Sequence, residues 1–303
     1  MLELAAILLR LAQYSAASVL MGSALFFVYA LPAPGSGSAA ELRWPKPLLA
    51  ASALLLALAA LLGLVVQTAS LADAVTADAL KAVIGEMALG KAALARIALA
   101  LVALVYIASI PPGRALWLGA GILGALACAT FGWIGHGAAT EGNGHALHLA
   151  ADVAHALAAG LWLGALTAFA ALVAPRRQEQ RRIEATAAAL ERFSPLGITL
   201  VVTLAATGLV NTWFLAGTDV GRALHDPYGQ LLAVKLVLFA GMLTLAVHHR
   251  QRSVPALVAL LNSHALPPSG ALASLRRSLL SEGLLGLGVL AVVAWLGTLA
   301  PPA

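Results

Sequence analysis

The sequence predicts an all-α integral membrane protein, built as a bundle of about eight transmembrane helices. Hydrophobic residues make up 61% of the chain and charged residues only 10%, whereas a soluble domain has about 45–50% and 25%. The apolar residues form runs of about 20, the length that a helix needs to cross a bilayer. The ten-residue alternating segments of a transmembrane β-barrel do not occur. The chain is therefore expected to cross the membrane as helices.

Eight apolar segments meet this length requirement. We place them near residues 4–31, 47–69, 92–110, 115–134, 147–174, 196–216, 230–248 and 280–299. The first segment lacks a basic region before it, so we expect a retained span and not a cleaved signal. Residues 70–91 predict a short amphipathic helix on the membrane surface. The charged connection 175–194 and the loop 249–278 are expected to hold short helices within one polytopic domain, 1–303.

The placement of Lys and Arg predicts the orientation of the bundle, because basic residues concentrate in cytoplasmic loops. Twelve of the 18 Lys and Arg residues lie in the odd-numbered connections between spans: Arg43, Lys46, Arg114, Arg176, Arg177, Arg181, Arg182, Arg192, Arg250, Arg252, Arg276 and Arg277. We therefore expect these connections to be cytoplasmic and both termini to be periplasmic. His136, His145, His148 and His225 then lie at the outer surface of a bacterial inner membrane.

A short internal repeat indicates two halves of four spans each, 1–134 and 135–303. An even number of spans in each half predicts parallel repeats related by an axis along the membrane normal. The matching pairs are Gly63–Thr68 with Gly208–Thr212, Gly90 with Gly229, and Arg96 with Lys235. If the repeat holds, the first and fifth spans correspond, and the histidines of the fifth span belong to the second half alone.

The chemistry is concentrated between Phe131 and Leu166, a stretch that holds four of the eight histidines. On one helix, the side chains of His148, Asp152, His155 and Trp162 fall within roughly 80° of one another. Ionisable groups inside a membrane helix are costly and therefore indicate function. The stripe predicts a binding site that begins at the membrane surface.

Imidazole ligands and their spacing predict a metal ion at this stripe, since imidazole suits Cu, Zn, Fe and Ni. His148 and His155 are about 10 Å apart along the helix axis, so they indicate two positions in depth. His136 approaches from the preceding span, and His145 precedes the helix. Asp152 suits an outer partner that orients an imidazole ring. Candidates of second rank are His225, Met87 and Cys128, with Met21 as a further thioether.

Other interpretations of these residues stay open. Asp152 can pair with Arg10 or Arg96 for structural reasons, His155 can be a packing histidine, and Cys128 can be a small core residue. Paired histidines in a helical bundle also suit the axial ligands of a b-type haem in an electron-transfer protein. A third hypothesis is a structural or assembly subunit whose polar stripe docks a partner.

Several classes of function lack support in the sequence. No Walker motif, GxSxG or HExxH occurs, so neither ATP-driven transport nor familiar hydrolase chemistry is indicated, and we expect no enzyme. The metal-pump signature CPC is absent. No basic patch with interleaved aromatic residues occurs, which argues against nucleic acid as a partner. The single cysteine excludes an internal disulfide and any CxxC site.

An ordered set of short motifs resembles the copper resistance protein D (CopD) family of bacterial inner-membrane proteins, over a region of about 131–302. Gly135-His136-Gly137 is similar to that family's Gly-His motif, and His155 through Trp162 to Leu166 resembles its H-x-x-A-x-x-x-W-x-G-G-L signature. The other matches, in chain order, are Arg192–Ser194, Thr207–Leu209, Tyr228–Lys235, Leu275–Glu282 and Pro301-Pro302. The sequence departs from the family pattern at two positions, neither of which belongs to the stripe. Ala165 stands where a second glycine is usual, and His249 stands where an Asn is common.

The resemblance implies a role in copper handling, usually copper import across the inner membrane beside a periplasmic copper-binding partner of the CopC type. It also implies that His136 and His155 are the best candidate ligands. The resulting hypothesis is uptake of copper, as Cu(I) or Cu(II), from the periplasmic side. His136, His145 and His148 would form an outer acceptor site that passes the ion to His155, with Asp152 orienting an imidazole.

Overall fold

The computed structural model describes residues 1–31, 42–72, 75–135, 140, 142–174, 180–216, 226–253, 255 and 269–299. These residues contain eight helices long and apolar enough to cross a membrane, as predicted, and one short helix, α3. The helices are α1 Leu2–Tyr29, α2 Pro45–Leu71, α3 Ala77–Glu86, α4 Ala88–Ser109, α5 Arg114–Trp133, α6 His145–Val173, α7 Gln180–Ala216, α8 Pro227–His248 and α9 Ser269–Leu296. The protein is a multi-pass membrane protein.

Two helices begin much earlier than the predicted spans. α7 begins at Gln180 and contains Pro195, although its apolar segment begins near residue 196. α9 begins at Ser269, eleven residues before its apolar segment. A hydropathy pattern shows where a helix enters the hydrocarbon, whereas long basic side chains let the same helix continue through the interface into water. The amphipathic helix α3 lies within the predicted segment, and the Thr76 hydroxyl accepts a hydrogen bond from the Ala79 amide (3.1 Å) at its start.

The helices alternate in direction, so the bundle has two ends. The Leu2 side is the end where α1, α4, α6 and α8 begin, and the Tyr29 side is the opposite end. On the Tyr29 side, the ammonium of Lys46 donates to the carbonyl oxygens of Ala108 and Ile110 (3.2 and 3.1 Å). Arg192 donates to the carbonyl oxygen of Ala30 (3.0 Å). Basic side chains therefore cap two helix C-termini there, where the helix dipole favours positive charge.

The two halves of the chain meet where α1 crosses α6 through glycines. A Cβ atom added to Gly22 would lie 2.9 Å from Cα of Gly164, and one added to Gly164 would lie 2.5 Å from Cα of Gly22. Close backbone approach of this kind is typical of small residues at membrane helix interfaces. α1 widens into a π-helical turn at Val19–Ser23, and the Ser23 hydroxyl donates to the Gly164 carbonyl oxygen (2.7 Å).

The halves differ in how their outer helices pack. In the first half, α2 packs along both α1 and α4. In the second half, α7 packs along α6 and α8 packs along α9, but over their described residues α7 and α8 hardly approach each other. The α6 surface that carries His155 therefore faces the gap between α7 and α8.

Candidate metal site

Two histidines at the start of α6, His145 and His148, are held by one threonine. Nδ1 of His145 lies 3.0 Å from the carbonyl oxygen of Thr140, so it carries the proton and Nε2 carries the lone pair. Nδ1 of His148 lies 2.7 Å from the hydroxyl of Thr140. His148 is only 1% exposed. Thr140 therefore fixes both rings at the Leu2 side of the bundle.

α6 and α7 form an antiparallel ladder of three side-chain pairs, which we call the α6–α7 ladder. The imidazole of His148 stacks on the ring of Phe214, with centroids 4.7 Å apart and planes 9° from parallel. The amide of Asn211 donates to Oδ1 of Asp152 (2.6 Å). Nδ1 of His155 lies 2.9 Å from the hydroxyl oxygen of Thr207. The spacings of three and four residues bring each partner to the same face of its helix.

The hydrogen bonds of Thr207 assign the tautomer of His155. The Thr207 hydroxyl donates its only proton to the carbonyl oxygen of Thr203 (2.6 Å). The same hydroxyl also lies 3.4 Å from the carbonyl oxygen of Leu204, a second backbone acceptor for its proton. We therefore assign to His155 the tautomer in which Nδ1–H donates to the Thr207 oxygen and Nε2 keeps the lone pair that a metal ion needs. The residue that orients His155 is thus Thr207, from the neighbouring helix.

Asp152 faces the segment that carries His136. Its Oδ1 accepts from Asn211, and its Oδ2 lies 3.2 Å from the position that a Cβ atom on Gly135 would take. Among the described residues, Asp152 forms no ion pair with Arg10 or Arg96. Arg96 instead donates to Gln13 (2.7 Å) and to the hydroxyl of Thr130 (2.9 Å). Its guanidinium also lies over the ring of Phe131, 4.1 Å from the centroid.

A lysine from α8 completes the polar surroundings of His155. Lys235 is close enough to interact electrostatically with both Asp152 and His155. Tyr228, the second residue of α8, interacts with Asp152 in the same way. The α6 stripe therefore meets an amide and a hydroxyl from α7 and a positive charge and a phenol from α8.

The stripe continues beyond His155 to a buried carboxylate. Trp162 lies about two turns further along α6, and its indole N–H donates to Oε1 of Glu282 on α9 (2.9 Å). Trp162 is 3% exposed and Glu282 is 2% exposed. A carboxylate thus lies in the half of the bundle toward the Tyr29 side.

The sulfur candidates lie away from the ladder. Cys128 and Met21 both contact α6 at Gly160, where an added Cβ atom would lie 2.5 Å from Cε of Met21 and 3.5 Å from Sγ of Cys128. Gly160 is five residues from His155, or about 140° around the helix. Met87 precedes α4 at the Leu2 side and is 38% exposed.

His136 and His225 lie outside the described residues. Among the residues that are described, no three His, Cys, Asp or Glu side chains are close enough to hold a metal ion together. In the ladder, Nε2 of His155 has a lone pair available for a cation. The carboxylate of Asp152 and the ammonium of Lys235 lie near this nitrogen.

The sequence alone did not identify the partners of the stripe: Thr207, Asn211, Phe214, Tyr228, Lys235 and Glu282. Thr207, Tyr228, Lys235 and Glu282 lie in motifs that resemble copper resistance protein D, and Thr207 and Asn211 are four residues apart in an apolar span and share a face. Which helix they would face is decided by packing alone.

The comparisons with known proteins agree on one family. Residues 1–146 match the family model "Copper resistance protein D-like, N-terminal domain", and residues 187–296 match "Copper resistance protein D". His148, Asp152 and His155 lie between the two matched regions. No solved structure matches the chain.

Two relatives support the match. The chain is 34% identical over 301 residues to Copper resistance protein D of Pseudomonas syringae pv. tomato, covering 97% of this chain and 96% of the relative. It is 34% identical over 117 residues to Copper transport protein CutJ of Bacillus subtilis (strain 168), covering 38% of this chain and 20% of that protein. The chain thus belongs to the copper resistance protein D family, and it has a copper-related function in the membrane.

Proposed function

We propose that this protein takes up copper ions from the periplasm and carries them across the bacterial inner membrane. His136, His145 and His148 form the outer acceptor site, and His155 receives the ion deeper in the membrane. The observation that carries this proposal is the hydrogen bond from Nδ1 of His155 to Thr207, which leaves the Nε2 lone pair for a cation. Histidines held in this way inside membrane helices are typical of ion pathways.

Copper is the cargo that the residues and the relatives support best. Imidazole nitrogen suits copper in either oxidation state. Both relatives carry copper in their printed names, as a resistance protein and a transport protein. A periplasmic copper-binding protein of the CopC type is the donor that suits an acceptor site on the outer surface.

The direction of transport rests on the orientation of the bundle. The basic residues Lys46 and Arg192 cap helices on the Tyr29 side, which agrees with a cytoplasmic location for that side. The Leu2 side, with His145 and His148, then faces the periplasm. An alkaline phosphatase fused after Ala303 should be active, and a fluorescent protein that matures only in the cytoplasm should be dark at the same position. The reverse pattern would contradict uptake through the histidines.

Asp152 and Lys235 adjust the charge at the site. Oδ2 of Asp152 lies beside Gly135. We propose that this carboxylate orients the imidazole of His136, the next residue in the sequence. The ammonium of Lys235 repels a cation at His155. Copper binding therefore requires Lys235 to move away or to lose its proton.

The carboxylate of Glu282 marks the continuation of the path. It is fixed by the indole N–H of Trp162, about 10 Å further along α6 than His155. A buried carboxylate in the inner half of the bundle lowers the cost of a cation there. The ion thus passes from imidazole nitrogen toward a carboxylate on its way to the Tyr29 side.

The two halves of the chain are repeats, and only the second half carries ligands. Gln13 in α1 takes the place of His155 in α6, since each precedes the crossing glycine, Gly22 or Gly164, by nine residues. The residues that matched in sequence surround them in both halves: Gly63 and Arg96 beside Gln13, and Gly208 and Lys235 beside His155. A glutamine amide is a poor ligand for copper, so the first half serves as a scaffold.

Copper uptake into proteoliposomes tests the proposal. Vesicles that enclose a copper-sensitive dye should fill at least about tenfold more slowly with His155→Ala than with the unchanged protein. His248→Ala is the matched control, because His248 is exposed at the far end of α8 and should leave uptake unchanged. Elemental analysis should show bound copper that a His136→Ala/His155→Ala double variant loses. Equal uptake by His155→Ala would contradict the proposal.

The same preparation separates copper transport from haem-based electron transfer. A reduced-minus-oxidised spectrum with Soret and α bands would show axial ligation of haem by these histidines. That result would replace the transport proposal. A flat spectrum together with stoichiometric copper supports it.

A further inference from the structure

The first half of the bundle contains a polar cavity that copper transport does not use. The cavity has a volume of about 390 Å³ and lies between α1, α2 and α4 at the Leu2 side. Its polar lining comes from seven residues: Glu3, Arg10, Gln13, Gln67, Ser70, Arg96 and Thr298. Leu2, Leu9, Leu64 and Leu89 supply the apolar part of the wall. The cavity is therefore amphipathic, with two guanidinium groups among apolar helices.

The guanidinium of Arg96 is held by hydrogen bonds from two of its nitrogen atoms, and these bonds do not involve Nη2. The residue is 1% exposed, and its Nε and Nη1 donate to Thr130 and Gln13. Gln13 is fixed in turn, because its amide donates to the carbonyl oxygen of Ala59 (3.1 Å). Nη2 of Arg96 is buried and has no hydrogen-bond partner. Two N–H donors of a fixed guanidinium thus have no acceptor among the residues that the structure describes.

Arg10 supplies a second guanidinium, on a side chain that is half-buried. Its Nη1 is also buried and without a hydrogen-bond partner. The nitrogen lies over Gly297, where an added Cβ atom would approach to 2.6 Å, so a glycine makes room for it. Within the part of the chain that the structure describes, no carboxylate forms an ion pair with either guanidinium. Glu3 is the acidic residue of the cavity wall, so the wall carries a net positive charge.

Buried positive charge without a counter-ion is costly, and an anion in the cavity would remove that cost. Guanidinium groups with N–H donors in a fixed fork suit oxyanions, above all phosphate and carboxylate. Side chains on a helix lean toward its N-terminus, so those of Arg10 and Arg96 lean toward the Leu2 side. Their contacts with Gly297 and Thr130, near the ends of α9 and α5, place both guanidinium groups in the half of the bundle toward the Leu2 side, within reach of a phosphate group that enters the cavity from that end.

We propose that this cavity binds the phosphate group of a membrane phospholipid through Arg10 and Arg96. The apolar wall favours a lipid over a free anion, because it offers a surface for acyl chains beside the phosphate. The bound lipid holds α1, α2 and α4 together next to the α1–α6 crossing. The site is independent of copper, since none of the α6 histidines lines it.

Thermal unfolding of delipidated, detergent-solubilised full-length protein tests this site. Dioleoylphosphatidylglycerol should raise the unfolding midpoint by at least about 3 °C, as a ligand of the folded state does. Dioleoylglycerol, which has the same acyl chains without the phosphate, should not. Inorganic phosphate is the third probe, and a rise equal to that of the lipid would assign the cavity to a free oxyanion and overturn the lipid proposal.

Variants decide whether the effect arises in the cavity. Arg96→Gln and Arg10→Gln should each remove at least half of the lipid-induced rise. Arg10 makes no hydrogen bond, so its variant should fold even if Arg96→Gln does not. Lys91→Gln is the matched control. Lys91 is an exposed cation near the start of α4, the helix that carries Arg96, and it does not line the cavity. An undiminished rise in Arg10→Gln, or an equal rise with dioleoylglycerol, would refute the site.

Discussion

Thr207→Val isolates the hydrogen bond that orients His155. Valine has nearly the same shape as threonine, so the packing of α7 on α6 is kept. The variant removes the oxygen that accepts from Nδ1–H of His155 at 2.9 Å. The imidazole is then free to rotate and to place its proton on Nε2, the nitrogen that the metal ion needs.

The expected loss follows from that single bond. A hydrogen bond of this type contributes about 0.5–1.5 kcal/mol net, and about 1.4 kcal/mol corresponds to a tenfold change in affinity. Partners that orient metal-binding histidines typically change affinity by about 10–100-fold. We therefore expect copper affinity to fall about tenfold or more, and the free energy of unfolding to fall by about 0.5–1.5 kcal/mol.

Competition with a chromophoric copper chelator measures this change on purified protein. Thr207→Ser, which keeps the hydroxyl, should bind copper like the unchanged protein. Thr203→Val is the matched control, since its hydroxyl donates to the backbone carbonyl of Thr199 and not to a side chain of the ladder. The reasoning is refuted if Thr207→Val binds as tightly as the unchanged protein, or if Thr203→Val loses as much affinity.

Two further predictions concern charge and packing. Lys235→Gln should tighten copper binding at least about tenfold, because it removes the repulsion between the ammonium and a cation at His155; the chelator assay measures it, and unchanged or weaker binding contradicts it. Gly164→Ala should lower the unfolding midpoint by several degrees, since its Cβ atom would lie 2.5 Å from Cα of Gly22 and overpacking costs about 1–3 kcal/mol. Gly283→Ala, with no atom within 4 Å of its Cβ position, is the control; equal midpoints for the two variants would contradict the packing argument.

The spans could be predicted because a bilayer imposes one strong requirement. About 20 consecutive apolar residues must cover the hydrocarbon, and this requirement is visible in the sequence without knowledge of neighbours. The starts of α7 and α9 could not be predicted in the same way, because those turns lie in the interface, where polar and apolar residues are both tolerated. Helix ends there depend on local capping and contacts.

The stripe could be predicted in part for a similar reason. Helical periodicity places Asp152, His155 and Trp162 on one face, whatever surrounds the helix. Their partners on α7 and α9, among them Thr207 and Glu282, depend on which helices lie against that face. Sequence spacing within one helix carries no information about that choice.

By itself, the sequence determined the membrane class, the number of spans, the face of α6 that carries the histidines and the resemblance to copper resistance protein D. These properties follow from composition and from periodicity along one chain. Only the tertiary structure decided that Thr207 leaves Nε2 of His155 available, that Arg96 turns to Gln13 and away from Asp152, and that Cys128 lies apart from the histidines. The physical reason is that a hydrogen bond reaches about 3 Å. Helix packing therefore decides which of many polar side chains come within reach.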